Sequence, residues 1–554
     1  MSGPSAGTPP LATARAHRLV YGSLALVALL LAWLLMWHIS SDDPWYRNAD
    51  MNIHNVADAL SLNSGYPLGI VDQPATTTKL LLAFDFRLRN AVGAQPVWTL
   101  KRFARSPDPI AELAELVRIG RAHSRTLVVL FTLFAAGFVG QITRRFEIAC
   151  LAVVLLSGCS GLLFHGLLLR PELLCTIFGV MAMHCGWLAT RTDRSRGRTL
   201  WLVLAGACSG LAILSKLPGL IYLFLVFGWC AVAPLLASRE ARKPSGPPPF
   251  GAGVSMILPA IALAVFASLL SLAASGADLH PTAALRLRLL AGLTALLPLL
   301  LFVRSPFRFT TYLVDRTLEF AFLLGGLLGA CVGWFALLHA TLPPPAAASY
   351  AAKVLNVVFF PDPLAQLYTQ SGSVHRLREL LRFFAESPVL LVATTVFVVA
   401  LFCFRRADLR LRVFALFFFA QSLGMMWLMS KRQYFNQYSI FVEVPLALTW
   451  CFGLAALQEW WQHRSEASER RWPAALVLTA AFILILTMPL KLIPKYRSNQ
   501  DDAALPVPDL TITFLYDHDV HPAAYLAAMK ARYPSRPDFV QALNRFLADP
   551  SNRR

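Results

Sequence analysis

Several polar residues that can take up a proton or form an ion pair lie in one segment, soon after the first apolar stretch of the chain. If residues 49–65 form an α-helix, these residues fall within about 80° of arc, opposite an apolar face. The polar positions are Asp50, His54, Asp58 and Ser61, and the apolar positions are Ile53, Val56, Ala57 and Leu60. We interpret the segment as an amphipathic helix at the membrane surface that displays its acids outward and ends at Gly65-Tyr-Pro. That polar face either serves chemistry or only meets water.

Asp50 is the candidate catalytic residue of this segment, because a carboxylate can take the proton of an attacking hydroxyl group. His54, one helical turn later, could orient Asp50, contact the substrate or join a metal site. An ordinary surface histidine is the plainer interpretation of His54.

Positively charged residues at predicted outer ends of helices could gather around a phosphate group at headgroup depth. The predicted phosphate-binding residues are Arg170, Lys216, Lys431, Arg432 and Lys79, and Asp72 and Tyr434 complete the substrate-binding set. Basic residues at helix ends also anchor helices in the bilayer, and a tyrosine there also fits an interfacial aromatic belt.

The composition indicates the kind of protein that positions these residues. Of 554 residues, 56% are hydrophobic and 15% charged, and the mean hydropathy is +0.55. This predicts an all-α polytopic integral membrane protein with about 13 transmembrane helices. The predicted spans are residues 19–38, 125–141, 147–168, 171–189, 200–214, 218–237, 251–273, 285–303, 318–340, 388–404, 411–429, 437–457 and 473–489.

Basic residues are concentrated in every second loop, and loops rich in Lys and Arg usually lie in the cytoplasm. This distribution predicts a cytoplasmic N-terminus and a C-terminus outside. The opposite short loops hold only Arg170, Lys216, Lys431 and Arg432. The net charge of +19 therefore sets topology rather than indicating a nucleic-acid partner. We expect the protein in a bacterial cytoplasmic (inner) membrane, as a component of the cell envelope.

Two long outer loops, 39–124 and 341–387, interrupt the predicted transmembrane domain, residues 19–489. Residues 1–18 are predicted to be a disordered cytoplasmic N-terminus, and residues 490–554 a short non-cytoplasmic tail. The nine cysteines lie in predicted spans without metal-ligand spacing. The sequence predicts no metal site and requires no cofactor. A divalent cation as cofactor is kept as an alternative.

Five motifs follow one another along residues 19–457. Asp50 is followed by Asp72-Gln-Pro, then by Leu169-Arg170-Pro-Glu172. Next come Gly210-Leu-Ala-Ile-Leu-Ser-Lys216-Leu-Pro-Gly219 and Lys431-Arg-Gln-Tyr434-Phe-Asn-Gln-Tyr-Ser-Ile-Phe-Val-Glu-Val-Pro445. This ordered set resembles the GT-C superfamily of membrane glycosyltransferases, within it the branch of the lipid A aminoarabinose transferase and the protein O-mannosyltransferases.

The resemblance implies a GT-C-like fold and a glycosyltransferase that uses a polyprenyl-phosphate-linked sugar. The acceptor would be a lipid, glycan or protein on the non-cytoplasmic face, and the transfer inverting, with Asp50 as base. Two residues depart from the family pattern: Met51 replaces the second acid of an Asp-Glu pair, and Gln73 replaces a phosphate-contacting lysine. Lys79 is the candidate to stand in for that lysine.

Two other functions fit a polytopic protein of this kind. A lipid-linked glycan transporter or flippase is expected to carry charges near mid-membrane and paired broken helices. A polysaccharide polymerase or ligase would have its large outer loop late in the chain, whereas the acid-bearing loop here comes first. In every case membrane lipids are partners.

Overall fold

The structure is a computed structural model, and it describes part of the chain. The described residues are 11–41, 49–65, 75–104, 106, 109–192, 195–236, 284–285, 288–289, 292, 319, 322–334, 336–337, 388–404, 407–429 and 438–464. Every regular element among them is helical, which confirms the predicted all-α class.

The helices are, in chain order, α1 (Leu11–Ser41), α2 (Ala49–Ser64), α3 (Thr76–Ala91), α4 (Leu100–Ala104), α5 (Pro109–Thr143), α6 (Phe146–Ser157), α7 (Ser160–Leu167), α8 (Pro171–Arg191), α9 (Ser195–Ser215), α10 (Gly219–Leu236), α11 (Phe322–Trp334), α12 (Pro388–Cys403), α13 (Leu409–Met429) and α14 (Ile440–Arg464).

Six of these helices are long and apolar enough to cross a membrane, or seven if α6 and α7 together form one span. An integral membrane protein with several spans is therefore confirmed. The predicted total of about 13 remains a prediction, because the predicted spans 251–273 and 473–489 lie outside the described residues. The predicted domain boundaries also stay predictions.

Unit 1 comprises residues 1–43, 124–167 and 376–497. Its core contains an aromatic cluster in which Phe138 of α5 meets Phe414 and Phe418 of α13 and Phe452 of α14. The ring centroids of Phe138 lie 6.1, 6.4 and 5.8 Å from those of the three partners. Edge-to-face packing of this kind fixes the helices α5, α13 and α14 against one another.

The predicted span 147–168 is broken in unit 1. Its two halves, α6 and α7, are bent by 59° at Gly158-Cys159. The carboxylate of Glu443 accepts hydrogen bonds from the Ser160 hydroxyl, at 2.9 Å, and from the Gly161 backbone N–H, at 2.8 Å. These bonds satisfy donors that the break leaves without a helical partner. Hydropathy did not predict the break because both halves are apolar.

Unit 2 comprises residues 44–123, 168–375 and 498–554. Helix α8 packs against α9 and α10, and α9 also crosses α11 closely. A Cβ atom on Gly206 would overlap the Leu323 carbonyl group, and one on Gly326 would overlap the Val203 carbonyl group. Small residues at both sides of this crossing let the two backbones meet, as is common between membrane helices.

Helix α5 is much longer than the predicted span 125–141. It begins at Pro109, and Leu113, Leu116 and Val117 of its first turns are buried. The amphipathic stretch before the apolar run therefore continues as the same helix, because no Gly or Pro interrupts it between Pro109 and Arg125 except Gly120. A Cβ atom on Gly120 would overlap the Leu169 side chain, so close packing accounts for this glycine.

Candidate functional site

Helix α2 carries the predicted catalytic segment, and its existence and end are confirmed. It spans Ala49–Ser64 and is followed by Gly65 with φ of 73°, a left-handed conformation that favours glycine. The predicted apolar face is buried, with Ile53 and Leu60 only 2% and 1% exposed. The sequence therefore located this helix correctly.

The prediction that α2 displays its acids outward is wrong for Asp58. Asp58 is 1% exposed and Ser61 fully buried, because α3 packs on that face. Two polar residues between the predicted faces, Asn52 and Asn55, are also buried. An amphipathic pattern cannot distinguish a polar face in water from one that meets polar partners inside the protein.

The partner of Asp58 is Lys79 of α3. Lys79 Nζ lies 2.6 Å from Asp58 Oδ2, and the two side chains are 1% and 2% exposed. Burying either charge alone would be costly, so each stabilises the other. This ion pair joins α3 to the helix that carries Asp50.

A second junction joins α2 to the turn before α8. The Leu169 backbone N–H donates to Asn52 Oδ1 at 2.7 Å, and Asn55 Nδ2 donates to the Leu169 carbonyl oxygen at 2.9 Å. Both backbone groups of Leu169 are thus satisfied by side chains one helical turn apart on α2. The residue that follows Leu169 is Arg170, so α2 holds the backbone beside this predicted phosphate ligand.

Arg170, Glu172 and Lys216 lie together at the start of α8 and the end of α9. Arg170 precedes Pro171, is extended (φ −122°, ψ 138°), and is the N-terminal capping residue of α8. This conformation follows from the proline, which disfavours helical backbone in the residue before it. Lys216 Nζ donates to Glu172 Oε1 at 2.8 Å, and Arg170 Nη1 lies 3.9 Å from the same oxygen.

Helix α3 begins against the end of α9, next to Lys216. The Thr77 and Ser215 hydroxyl groups are 2.6 Å apart, and the Ala75 backbone N–H donates to the Ser215 carbonyl oxygen at 3.1 Å. Helix α10 begins at Gly219, shortly after Lys216. A Cβ atom on Gly219 would lie 2.4 Å from the Ala212 carbonyl carbon, so only glycine fits at this position.

These contacts close a ring within unit 2, which we call the polar ring. It runs from Asn52 and Asn55 through Leu169-Arg170-Pro-Glu172 to Ser215-Lys216, and returns through Thr77 and Lys79 to Asp58. Among its described side chains, three cations (Lys79, Arg170 and Lys216) face two carboxylates (Asp58 and Glu172), all buried. The polar ring therefore carries one excess positive charge.

Arg170 is a buried cation of the polar ring that has hydrogen-bond donors left among the described residues. It is 6% exposed, and its Nε and Nη1 atoms donate no hydrogen bond to any described residue. A buried guanidinium with open N–H donors is suited to an anion that accepts several hydrogen bonds, such as a phosphate.

The other predicted site residues are placed only in part. Asp50 lies in the first turn of α2, two residues before Asn52, and its side chain lies outside the described residues. His54 is half-buried on α2. Asp72, Lys431, Arg432 and Tyr434 lie outside the described residues. Their predicted roles, like those of Arg170, Lys216 and Lys79, stay predictions.

Sequence reasoning did not select Asn52 and Asn55 as site residues. The signal was present, since two asparagines three residues apart share one side of a helix and can meet one backbone segment. Glu172 appeared only as part of a motif. Within the described ranges, no group of three or more His, Cys, Asp or Glu side chains is placed to hold a metal ion.

Comparison with known proteins identifies the family that part of this chain resembles. Residues 117–240 match the family model of dolichyl-phosphate-mannose-protein mannosyltransferases. The predicted resemblance to membrane glycosyltransferases is thereby confirmed. The matched segment covers less than half of the chain and contains both Arg170 and Lys216 of the polar ring. That family transfers sugars, so the prediction of a glycosyltransferase is confirmed at the level of family resemblance.

Among solved structures, one match is the archaeal oligosaccharyltransferase AglB from Archaeoglobus fulgidus, in complex with an inhibitory peptide and a dolichol-phosphate. The TM-score is 0.43 and the sequence identity 14%, over 89% of this chain and 58% of that one. This chain thus spans less than two thirds of the length of AglB. At this similarity, no residue role passes from AglB to this chain. No curated protein matches this chain significantly.

Proposed function

We propose that this chain is a GT-C glycosyltransferase that moves a sugar from a polyprenyl-phosphate carrier to a hydroxyl group of a lipid, glycan or protein. The observation that carries the proposal is the junction of α2 with the Leu169-Arg170 turn. It ties the helix of the candidate base, Asp50, to the buried arginine with open donors. A base and a phosphate-binding cation on one rigid support are what such a transfer requires.

The proposed reaction inverts the anomeric carbon. The acceptor oxygen bonds to that carbon while the bond from the carbon to the carrier's phosphate oxygen breaks, and polyprenyl phosphate leaves. Asp50 takes the proton of the acceptor hydroxyl group. Arg170 contacts the departing phosphate and offsets its growing negative charge, which lowers the barrier most where water is excluded.

Lys216 and Lys79 support this site in different ways. Lys216 is held by Glu172 at 2.8 Å and adds positive potential beside Arg170. Lys79 is paired with Asp58 at 2.6 Å, so we assign it first to holding α2 and α3 together, and to the phosphate as a second contact. Lys431, Arg432, Tyr434, Asp72 and His54 are proposed as further substrate contacts.

We place the reaction on the non-cytoplasmic face of a bacterial cytoplasmic membrane, with the N-terminus inside and the C-terminus outside. The distribution of basic loop residues supports this orientation. The donor is then a lipid rather than a nucleotide sugar, since nucleotide sugars are made in the cytoplasm.

The decisive experiment replaces the base in purified protein supplied with a radiolabelled polyprenyl-phosphate sugar and an acceptor. Asp50→Asn is expected to lower turnover by about 10²- to 10⁴-fold, the usual contribution of a general base. The matched control is Asp85→Asn, which removes an acid of α3 that pairs with Arg89 and should leave turnover close to that of the wild type. Full turnover by Asp50→Asn would remove Asp50 as the base.

A transporter of lipid-linked glycans is the second candidate, and the bent pair α6 and α7 favours it. Transporters of this kind use two broken helices in corresponding positions. The described residues contain one broken span, formed by α6 and α7. In sealed vesicles, a transporter moves the lipid-linked glycan across the bilayer with its chemical structure intact. A glycosyltransferase instead forms a new glycoside and is inhibited by added polyprenyl phosphate.

A further inference from the structure

Helix α3 exposes an apolar ridge on the side opposite the polar ring. Phe84 and Leu88 of α3 and Val92, which caps the C-terminal end of the helix, follow one another at four-residue spacing and are 66%, 52% and 71% exposed. The other side of α3 is buried and includes Leu82 and Phe86. We call Phe84, Leu88 and Val92 the α3 ridge. Exposing three large apolar side chains in a row to water costs free energy, so we expect this surface to be covered.

Two arginines, one of them on α3, lie near the ring of Trp98. The guanidinium carbons of Arg87 and Arg102 lie 5.8 and 5.9 Å from the centre of the Trp98 ring. Arg87 Nε donates to Asn63 Oδ1 at 2.6 Å, and Arg102 Nη1 donates to Asn90 Oδ1 at 2.8 Å. Both guanidinium groups are thus held in place by neutral partners while their side chains stay exposed.

Within the described part of the chain, neither arginine has an acidic neighbour that would neutralise it. No carboxylate of a described residue lies within ion-pair distance of Arg87 or Arg102. Lys101, between Trp98 and Arg102 in sequence, is exposed as well. The surface therefore combines exposed apolar side chains, a tryptophan and two positive charges that are held by neutral partners.

We propose that the α3 ridge, together with Arg87 and Arg102, is a docking surface for anionic phospholipids of the adjacent bilayer leaflet. The acyl region would cover Phe84, Leu88 and Val92, and the lipid phosphate would bind the two guanidinium groups. This occupant is the one that fits both halves of the surface, since an amphipathic helix with basic and aromatic residues lies in the interface of an anionic membrane. The proposal does not depend on the proposed glycosyl transfer.

The surface has a consequence for the polar ring. Because α3 contacts lipid with one face and carries Lys79 on the other, the membrane fixes the depth and rotation of α3. Through the ion pair of Lys79 with Asp58, it also fixes α2. Lipid binding at the α3 ridge therefore sets the height of the polar ring relative to the bilayer.

The test uses the full chain in nanodiscs of phosphatidylcholine with or without phosphatidylglycerol, and native mass spectrometry of the lipids that stay bound. Each of Arg87→Gln and Arg102→Gln is expected to weaken phosphatidylglycerol binding about 5-fold, and the double variant about 30-fold. The double effect corresponds to ~2 kcal/mol, at ~1 kcal/mol for each basic residue near an anionic surface. Phosphatidylcholine binding should be unchanged in these variants.

The matched control is Arg118→Gln, which removes an exposed arginine that already pairs with Glu115 at 3.0 Å. It should leave phosphatidylglycerol binding unchanged. Leu88→Gln keeps every charge and should weaken the binding of both lipids, which tests the apolar half of the surface. If the double variant fails to fold, the single variants decide.

Three outcomes would overturn the proposal. The first is unchanged phosphatidylglycerol binding in a folded double variant. The second is displacement of the lipid by inorganic phosphate, which would indicate a site for a free anion. The third is a change in oligomeric state in the variants with lipid binding unchanged, which would indicate that a second copy of the chain covers the ridge.

Discussion

Lys79 Nζ lies 2.6 Å from Asp58 Oδ2 in a place where both side chains are almost fully buried. This pair connects α3 with α2, and the Leu169 junction connects α2 with the start of α8. The candidate base and the candidate phosphate ligand are therefore positioned by one continuous set of polar contacts. Each contact can be removed singly, which makes the arrangement testable.

Breaking the buried ion pair should destabilise the protein strongly. Asp58→Ala removes the buried carboxylate that pairs with Lys79, and we expect a loss of ~3–5 kcal/mol in the free energy of unfolding. Asp58→Ala combined with Lys79→Met removes both charges and should recover most of that loss. The melting temperature in detergent measures the effect.

The control for this prediction is the exposed pair Arg118–Glu115, at 3.0 Å. Glu115→Ala should lower the free energy of unfolding by no more than ~1 kcal/mol, because exposed ion pairs contribute little. Equal melting temperatures for Asp58→Ala and Glu115→Ala would mean that the Lys79–Asp58 pair is solvated.

The two asparagines of α2 should differ in how strongly conversion into aspartate destabilises the protein. Asn52 accepts a hydrogen bond from the Leu169 N–H, so Asn52→Asp keeps the acceptor. Asn55 donates to the Leu169 carbonyl oxygen, so Asn55→Asp places a carboxylate against that oxygen. We expect Asn55→Asp to be destabilised by ~1–3 kcal/mol more than Asn52→Asp.

Asn52→Ala and Asn55→Ala also test the positioning role in catalysis. If α2 holds Arg170 relative to Asp50, kcat falls at least tenfold per folded molecule while KM for the donor changes little, a loss of ~1.4 kcal/mol in the transition state. A lower melting temperature with wild-type kcat would mean that the junction is structural only.

Removing the negative charge of Glu172, one of the two acids of the polar ring, should strengthen anion binding. Glu172 accepts a hydrogen bond from Lys216 and lies 3.9 Å from Arg170. Glu172→Gln keeps an acceptor oxygen but removes its negative charge, so added polyprenyl phosphate should inhibit about tenfold more tightly, or ~1.4 kcal/mol. An unchanged inhibition constant would place the phosphate away from Arg170 and Lys216.

The close approach of α7 to the start of α14 leaves no room for a side chain at Gly161. A Cβ atom there would lie 2.6 Å from Ser439 Oγ and 2.7 Å from the Ile440 backbone nitrogen. Gly161→Ala should therefore destabilise the protein by ~1–3 kcal/mol. Gly137→Ala on α5, where nothing lies within 4 Å of the added atom, is the matched control and should be close to neutral. Melting temperatures that fall equally for both would contradict the tight contact.

Local features of the site could be predicted because they depend on short stretches of chain. The Arg170-Pro-Glu172 turn begins a helix because proline fits its first turn, and Gly65 ends one because it adopts positive φ. The break at Gly158-Cys159 could not be predicted, since the carboxylate that stabilises it comes from Glu443, far along the chain.

The sequence by itself determined that the protein crosses a membrane several times, where α2 lies, and which family its ordered motifs resemble. Apolar run length, helical period and motif order are properties of neighbouring residues, so they need no fold. Only the tertiary structure decided that Asp58 faces inward and pairs with Lys79. It also decided that Asn52 and Asn55 form hydrogen bonds with the Leu169 backbone and that Glu172 accepts a hydrogen bond from Lys216. The physical reason is that a buried polar group is stable only beside its partner, and those partners lie on separate helices.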